Sequence, residues 1–528
     1  MASEWWRRAV FYQIYPRSFG DSNGDGIGDL DGITAHLDYL NDGTDRSLGI
    51  DAIWLSPINP SPLKDWGYDV SDYCDVHPDL GDLASFDRLV REARRRGIEI
   101  ILDLVPNHTS DQHRWFRESR SSRGNPKRDW YIWKPGTPDR TPNNWVSVFG
   151  GPAWKWDDAT AEWYLHLFLE GQPDLNFRNP EVVAAMQDVI RFWLQRGAGG
   201  YRIDVVHGMI KDAQFRDNPP LTEVVWGRQT DIELKQDHVY DADQPEVHEI
   251  IRGFRRVLNE FGDRVMVGEA WPRDNQSLAL YLRPDELQQV FNFRFVFCPW
   301  NAARFRHQVE EIARILPRSS WPTWTLSNHD FPRHITRYGN GADSEARARL
   351  AAVMLLGLRG TPFLYYGEEI GMTNVDIPRA RWLDPVGRDG CRTPMQWSAA
   401  RGGGFTSAPQ PWLPLGDCAA VNVAKQLDDP HSMLSFYRRA IRVRRASPAL
   451  AAGDILVDAD APEDCIAFTR DTAGSRAMVA LNFAEDSREV RVPSGKILLS
   501  SDFARGPGRI RAGKLRLAAN EAVVIDLS

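Results

Sequence analysis

The sequence predicts an α/β protein, a (β/α)8 TIM barrel with a subdomain inserted after the third strand and an antiparallel β domain at the C-terminus. Three observations carry this reading. Short apolar runs rich in β-branched residues alternate with amphipathic helical stretches, eight such runs recur, and the rhythm breaks for a long aromatic stretch between residues 106 and 176. The runs are 10–15, 52–55, 98–104, 201–205, 265–268, 290–293, 323–326 and 362–366. Between the second and third, Leu83, Phe86, Leu89, Val90 and Ala93 recur at the spacing of one helical face, which predicts a helix over 83–96 and a βαβ unit. The 106–176 stretch is rich in Trp, Pro, Gly and Asn, too long for a loop and too aromatic for a linker. The expected division is a barrel from 1–104 and 175–450, an insert at 105–174, and a β-sandwich at 451–528. Long excursions at 211–245 and 373–429 follow the fourth and eighth runs, where extra chain walls an active site. A last helix is predicted at 432–446, and strands at 477–483, 497–499 and 522–525.

Composition narrows the function. A net charge of −8 over 528 residues argues against nucleic acid or an acidic membrane surface and for a neutral small molecule. No apolar stretch follows Arg7 and Arg8 as in a signal peptide, and the run 351–358 is too short to span a bilayer. The five cysteines are scattered without metal or redox spacing, as expected of reduced thiols in the cytoplasm. The expected assembly is a monomer or homodimer.

Three acids stand out, each following a strand-like run: Asp204 in Gly-Tyr-Arg-Ile-Asp, Glu269 in Val-Gly-Glu-Ala-Trp and Asp330 in Ser-Asn-His-Asp. One such acid alone is more often a helix cap or a solvated loop residue. Three at strand ends suit cleavage of a glycosidic bond through a positively charged transition state. Arg202 lies two residues before Asp204, so both side chains point to one face, and the cation is expected to hold Asp204 ionised as the nucleophile. Glu269, between apolar neighbours, is the expected acid/base, and Asp330 the group that grips sugar hydroxyls as the ring flattens. His108 and His329 are candidate donors to one glucosyl ring, Tyr68 a stacking platform and Asp65 a partner for outer hydroxyls. A separate loop places Asp21, Asn23, Asp25, Ile27 and Asp29 at alternate positions around Gly26, as in the first part of a calcium loop. Gly32 stands where an EF-hand carries its bidentate Glu, so one structural divalent cation, Ca2+ before Mg2+, is expected in place of a sensor, and no organic cofactor.

Taken together, the runs resemble glycoside hydrolase family 13, the α-amylase family, and within it the oligo-1,6-glucosidase and α-glucosidase branch. Asp103-Leu-Val-Pro-Asn-His, Gly200-Tyr-Arg-Ile-Asp-Val, Val267-Gly-Glu-Ala and Ser327-Asn-His-Asp correspond to its four signature regions, and Gln172-Pro-Asp-Leu-Asn to the fifth. The resemblance implies the same roles for Asp204, Glu269 and Asp330, with net retention of configuration. It implies a shell of Asp65, Tyr68, His108, Phe168, Arg202, His329 and Arg392 around the terminal glucose, with Phe149 in the same wall. An Asp65–Arg392 pair closing the pocket would restrict the enzyme to non-reducing ends of short oligosaccharides. The loop 21–29 is similar to the structural metal loop of this branch. Val205, after the nucleophile, is the residue found in members favouring α-1,6 over α-1,4 bonds. The expected function is therefore a retaining exo-α-glucosidase, with strict oligo-1,6-glucosidase and a trehalose synthase or sucrose isomerase type of transglycosylase as alternatives. A non-catalytic transporter heavy-chain scaffold is the remote one, disfavoured by the complete triad.

Overall fold

Period-two alternation of apolar residues within short strands is what builds the centre of this molecule. The computed structural model describes residues 4–221, 236–339 and 341–528. The central sheet takes β1 (Phe11–Ile14), β2 (Ala52–Leu55) and β3 (Glu99–Leu104). A separate antiparallel sheet follows, of β4 (Trp133–Lys134), β5 (Trp154–Asp157) and β6 (Glu162–Leu165). The central sheet then resumes with β7 (Gly200–Ile203), β8 (Val265–Gly268), β9 (Gln289–Val290), β10 (Thr323–Trp324) and β11 (Thr361–Tyr365).

Its strands run β10-β11-β1-β2-β3-β7-β8-β9, every neighbouring pair parallel. The free edges meet through the Thr323 hydroxyl, which donates to the Val290 carbonyl at 2.7 Å, so the sheet is nearly closed as a barrel. Alternate residues divide between two cores. Phe11, Trp54, Ile101, Val267 and Phe363 pack together in one cluster, while Tyr12, Ile53, Leu102, Met266 and Leu364 join the other, which includes the helices. A parallel sheet covered on both faces requires such apolar residues on each side. The helix Leu83–Arg95 begins where the Asp82 carboxylate accepts from Ser85 N–H and buries Phe86, Leu89, Val90 and Ala93.

The run predicted at 290–293 behaves differently. β9 is only two residues long, because the Asn292 side chain accepts from Phe295 N–H and starts a short helix, Phe293–Val296. The predicted strand at 201–205 ends at Ile203, and Val205 takes φ +42°, a left-handed conformation costly for a β-branched residue.

The chain ends in β12 (Asp454–Val457), β13 (Cys465–Thr472), β14 (Ser475–Asn482), β15 (Arg488–Val492), β16 (Gly495–Ser500), β17 (Gly508–Ile510), β18 (Gly513–Leu517) and β19 (Ala522–Asp526). Six form one antiparallel sheet, β12-β13-β14-β19-β16-β17, and β15 pairs with β18. Cys465, Met478, Val490, Leu517 and Val523 fill the space between them. A buried guanidinium ties this region to the barrel, as Arg470 on β13 donates to the carbonyls of Gly357 at 2.6 Å and Gly453 at 2.8 Å; beside it Arg444, on the helix Met433–Ala446, donates to the Leu356 and Gly360 carbonyls, both at 2.7 Å. They satisfy carbonyls at the end of the helix Ser344–Gly357. All five cysteines are free, and among the described residues no helix is long and apolar enough to cross a membrane.

One buried acid gives the fold a pH signature. Glu368, just after β11, is pushed up to about 8 by burial, against hydrogen bonds from Tyr437 and the Tyr365 N–H. Its folded value lies above the ordinary 4.5, so its contribution to stability is full below about 4.5 and is lost as pH rises through about 8. Chemical denaturation between pH 5 and 9 is expected to show falling stability, by up to ~5 kcal/mol from this group at about 1.4 kcal/mol per unit. Glu368→Gln is expected to flatten that fall; an equal fall in the variant would assign it elsewhere.

Candidate active site

The register of three adjacent strands brings the chemistry together. Asp103 on β3 pairs in register with Arg202 on β7, and Ile203 with Gly268 on β8, so Asp204 and Glu269 leave neighbouring strand ends side by side. Glu269 N–H donates to Ile203 O at 2.8 Å and Val206 N–H to Glu269 O at 2.9 Å, which locks that step. Gly200 makes the approach possible: its φ is +150°, and a Cβ there would lie 2.0 Å from the Val265 carbonyl oxygen.

Arg202, fully buried, is the hub. Its Nη1 donates to Asp204 Oδ1 at 2.7 Å and to Asp103 Oδ1 at 2.8 Å, and its Nη2 donates to Glu269 Oε2. Glu269 Oε1 accepts from Trp271 Nε1 at 3.0 Å. Asp103 is held further by Tyr68 Oη at 2.8 Å and Trp54 Nε1 at 3.2 Å. Burial raises Asp204 well above the usual carboxylate range, Arg202 opposes it, and Glu269 and Asp103 add to it. This runs against the expectation that Arg202 holds Asp204 ionised: one cation is shared among three buried carboxylates, and burial with the two neighbouring acids outweighs it. Asp103 likewise rises, to about 6, chiefly through burial.

Asp330 behaves oppositely. Burial opposes its charge, but His329, Arg388 and Arg392 overcome this and hold it at about 2. Burial pushes His329 well below its ordinary value, against the pull of Asp330. Arg388 Nη1 lies 2.9 Å from Asp330 Oδ1 and Arg392 Nη2 3.4 Å from it, while His329 Nε2 is 3.2 Å from Asp330 Oδ2.

These acids open into a cavity of about 510 Å³, lined also by Asp65, Tyr68, His108, Phe149, Phe168 and Val205. Arg202, His329 and Arg392 are fully buried behind that wall. His329 is stacked on Tyr68 with ring centroids 5.2 Å apart, hydrogen-bonded to its hydroxyl at 2.6 Å, and held from behind by Gln13 at 2.7 Å. His108, kept neutral by burial, meets Gln172 Nε2 at 3.1 Å, which also donates to Asp65 Oδ2 at 2.9 Å.

The predicted pair of Asp65 with Arg392 is not formed. Asp65 pairs with Arg388 at 2.6 Å, and Arg388, over the Phe149 ring, is the cation that meets the cavity. Arg392 turns back to donate from Nε to His329 O at 2.8 Å. Both arginines also bind Asp384 and, against the opposing effect of burial, hold its carboxyl well below the usual carboxylate range. Sequence reasoning missed Arg388 and Asp384; the sole signal was their i, i+4 spacing.

The loop 21–29 lies elsewhere. Asp21 accepts from the N–H groups of Asn23, Gly24 and Gly26 and from the Thr406 hydroxyl, and Asp25 from Ile27 N–H at 2.7 Å. Asp29 caps the helix Leu30–Ala35 through Gly32 N–H and also accepts from Ser22. The donors are all oxygens, as a hard cation wants, yet among the described residues no three His, Cys, Asp or Glu side chains converge as metal ligands.

The alpha-amylase catalytic-domain model matches residues 13–453. A probable alpha-glucosidase of Rhizobium meliloti is 42% identical over 516 residues, covering 94% of this chain and 92% of its own. An oligo-1,6-glucosidase of Parageobacillus thermoglucosidasius is 37% identical, with 93% of each chain covered. Among solved structures, the alpha-glucosyl transfer enzyme XgtA superposes with a TM-score of 0.91 at 41% identity, over 99% of both chains.

Proposed function

Since the chain belongs to the alpha-amylase family, glycoside hydrolase family 13, we propose that it is a retaining, exo-acting α-glucosidase that releases glucose from the non-reducing end of short α-glucosides. One observation carries the reading: a single guanidinium binds Asp204 and Glu269 together, beside Asp330, in a cavity crossed by the Asp65–Arg388 pair. Asp204 attacks the anomeric carbon, Glu269 protonates the leaving oxygen and then activates water, and Asp330 holds ring hydroxyls. The negative charge gathered around Arg202 complements the cationic transition state.

Kinetics on isomaltose, maltose, sucrose and trehalose test this. Free glucose as the main product supports it, and isomerised disaccharide as the main product overturns it. Val205, in the cavity wall beside the nucleophile, supports a preference for isomaltose. Transfer to a sugar acceptor is the second reading, favoured by the likeness to an alpha-glucosyl transfer enzyme.

The pH profile follows from Asp204. The nucleophile must be ionised, so kcat/KM falls as pH drops through its value, and the acid limb is expected above the ~3.9 of an ordinary Asp. Asp103→Asn removes a carboxylate that raises Asp204, so the limb is expected to move to lower pH in what activity remains; an upward move would contradict the assignment.

We further infer that the oxygens of Asp21, Asn23, Asp25, Ile27 and Asp29 take one structural Ca2+ or Mg2+ after rearrangement of the loop, with no part in the chemistry. Calorimetry with EDTA and with added Ca2+ checks this: the cation is expected to raise Tm, and identical melting curves would exclude it. The five free thiols support a reducing compartment, the cytoplasm.

A further inference from the structure

An acid that protonates a leaving oxygen has to hold its proton in the right direction, and the donors around the Glu269 carboxylate decide which directions are open. A carboxylate offers about four lone-pair positions, two on each oxygen. Arg202 Nη2 and the Val205 N–H take those of Oε2, and Trp271 Nε1 takes one on Oε1 at 3.0 Å. Among the described residues no other group donates to this carboxylate, so one position, on Oε1, is left for the acid proton. An indole nitrogen only donates, so the direction of this hydrogen bond is fixed by the side chain itself.

Trp271 lies two residues beyond Glu269, in the turn after β8, and its ring is fixed from outside that turn. It lies flat on Phe293, with centroids 3.9 Å and planes 5° apart, and Phe297 and Phe331 flank it at 5.9 and 6.1 Å. Phe293 is held in turn because the Asn292 side chain caps the helix Phe293–Val296 directly after β9. Two neighbouring strand ends thus supply the indole and the face it rests on, and swinging the N–H away from Glu269 would break that stack. Trp271 and Glu269 both line the cavity, so the contact is made at the wall where the proton is given up.

We propose that Trp271 is a positioning residue for the acid: by occupying one lone pair of Oε1 it confines the proton of Glu269 to the other. This rests on the assignment of Glu269 as acid/base above and adds what directs it. In the step concerned, Glu269 passes its proton to the glycosidic oxygen as the bond from that oxygen to the anomeric carbon breaks and the Asp204 carboxylate forms the new one. The leaving group departs as a neutral alcohol, and the indole neither gains nor loses a proton.

Phenyl and p-nitrophenyl α-glucoside test this, because they place the same ring in the cavity and differ in how much protonation the departing phenol needs. Trp271→Phe keeps an aromatic ring on Phe293 and removes the N–H. It is expected to lower kcat/KM for phenyl α-glucoside about tenfold or more, while p-nitrophenyl α-glucoside changes by less than about threefold. The ratio is internal to each variant, so neither the amount of folded enzyme nor lost packing against the aryl group moves it. Glu269→Gln, measured beside it, is expected to show the same dependence on the leaving group more strongly. Should Trp271→Phe fail to fold, Phe293→Leu leaves the N–H but loosens its support, and is expected to shift the ratio in the same direction by about threefold or more. Equal losses on the two substrates in the Trp271 or Phe293 variant, with the dependence present in Glu269→Gln, overturn the inference and leave Glu269 as the acid. Absence of the dependence in Glu269→Gln overturns both.

Discussion

Asp204→Asn is expected to lower kcat/KM on the order of 10⁴-fold or more for every α-glucoside, with the fold intact. The amide fills the same space beside Arg202 but cannot attack, and no other carboxylate is placed to replace it: Asp103 is committed to Arg202, Tyr68 and Trp54, and Asp330 to Arg388 and Arg392. The companion variant separates the roles. Glu269→Gln removes proton donation, worth about 10² to 10⁴-fold, and is expected to do so for disaccharides while p-nitrophenyl α-glucoside, whose leaving group needs little protonation, is spared in glycosylation. Steady-state kinetics on both donors check this. Equal losses for the two donors in the Glu269 variant would remove its role as the acid, and substantial turnover by Asp204→Asn would remove Asp204 as nucleophile.

Arg388→Ala is expected to be the most damaging change outside the three acids. The guanidinium bridges Asp65 at 2.6 Å, Asp330 at 2.9 Å and Asp384 at 2.6 Å, and its loss leaves Asp330 and Asp384 with Arg392 and takes away the cation paired with Asp65. Breaking a buried ion pair from one side costs about 3–5 kcal/mol, shared here between stability and binding. A drop in kcat/KM of roughly 10²-fold is expected from the misplaced ring partners. Because the pair also walls the cavity, cleavage of a maltooligosaccharide blocked at its non-reducing end is expected to rise relative to cleavage of an unblocked one. Measuring both substrates decides it, since an unchanged ratio would mean that the wall lies elsewhere. Arg392→Ala, by contrast, removes a donor to the His329 carbonyl and leaves the Asp65 pair standing.

How far the sequence could be read follows from the range over which each feature is encoded. Alternation within β1, β2, β3 and β8 is local, and those strands fall within a residue of their expected ends. The acids were legible because Asp204 and Glu269 follow a strand directly, so strand register alone carries them to one end of the barrel. Phe293 was misread as strand because the Asn292 cap outweighs a four-residue apolar run. The choice between Arg388 and Arg392 depends on the turn Arg388–Cys391, which sends one side chain to the cavity and the other beneath it. The sign of the Asp204 shift depends on how many carboxylates share Arg202, a count that exists only after β3, β7 and β8 have paired. The left-handed Val205 follows no local signal either, since a β-branched residue disfavours that conformation and the surrounding barrel imposes it. The excursion at 211–245 is described only in part, as residues 222–235 lie outside the described residues.

Covalent trapping addresses the central claim most directly. Incubation with a 5-fluoro-α-glucosyl fluoride, followed by proteolysis and peptide mass spectrometry, is predicted to find one fluoroglucosyl group on the carboxylate of Asp204. A group on Glu269 or Asp330, or an inactivated enzyme with no modified carboxylate, would contradict the account.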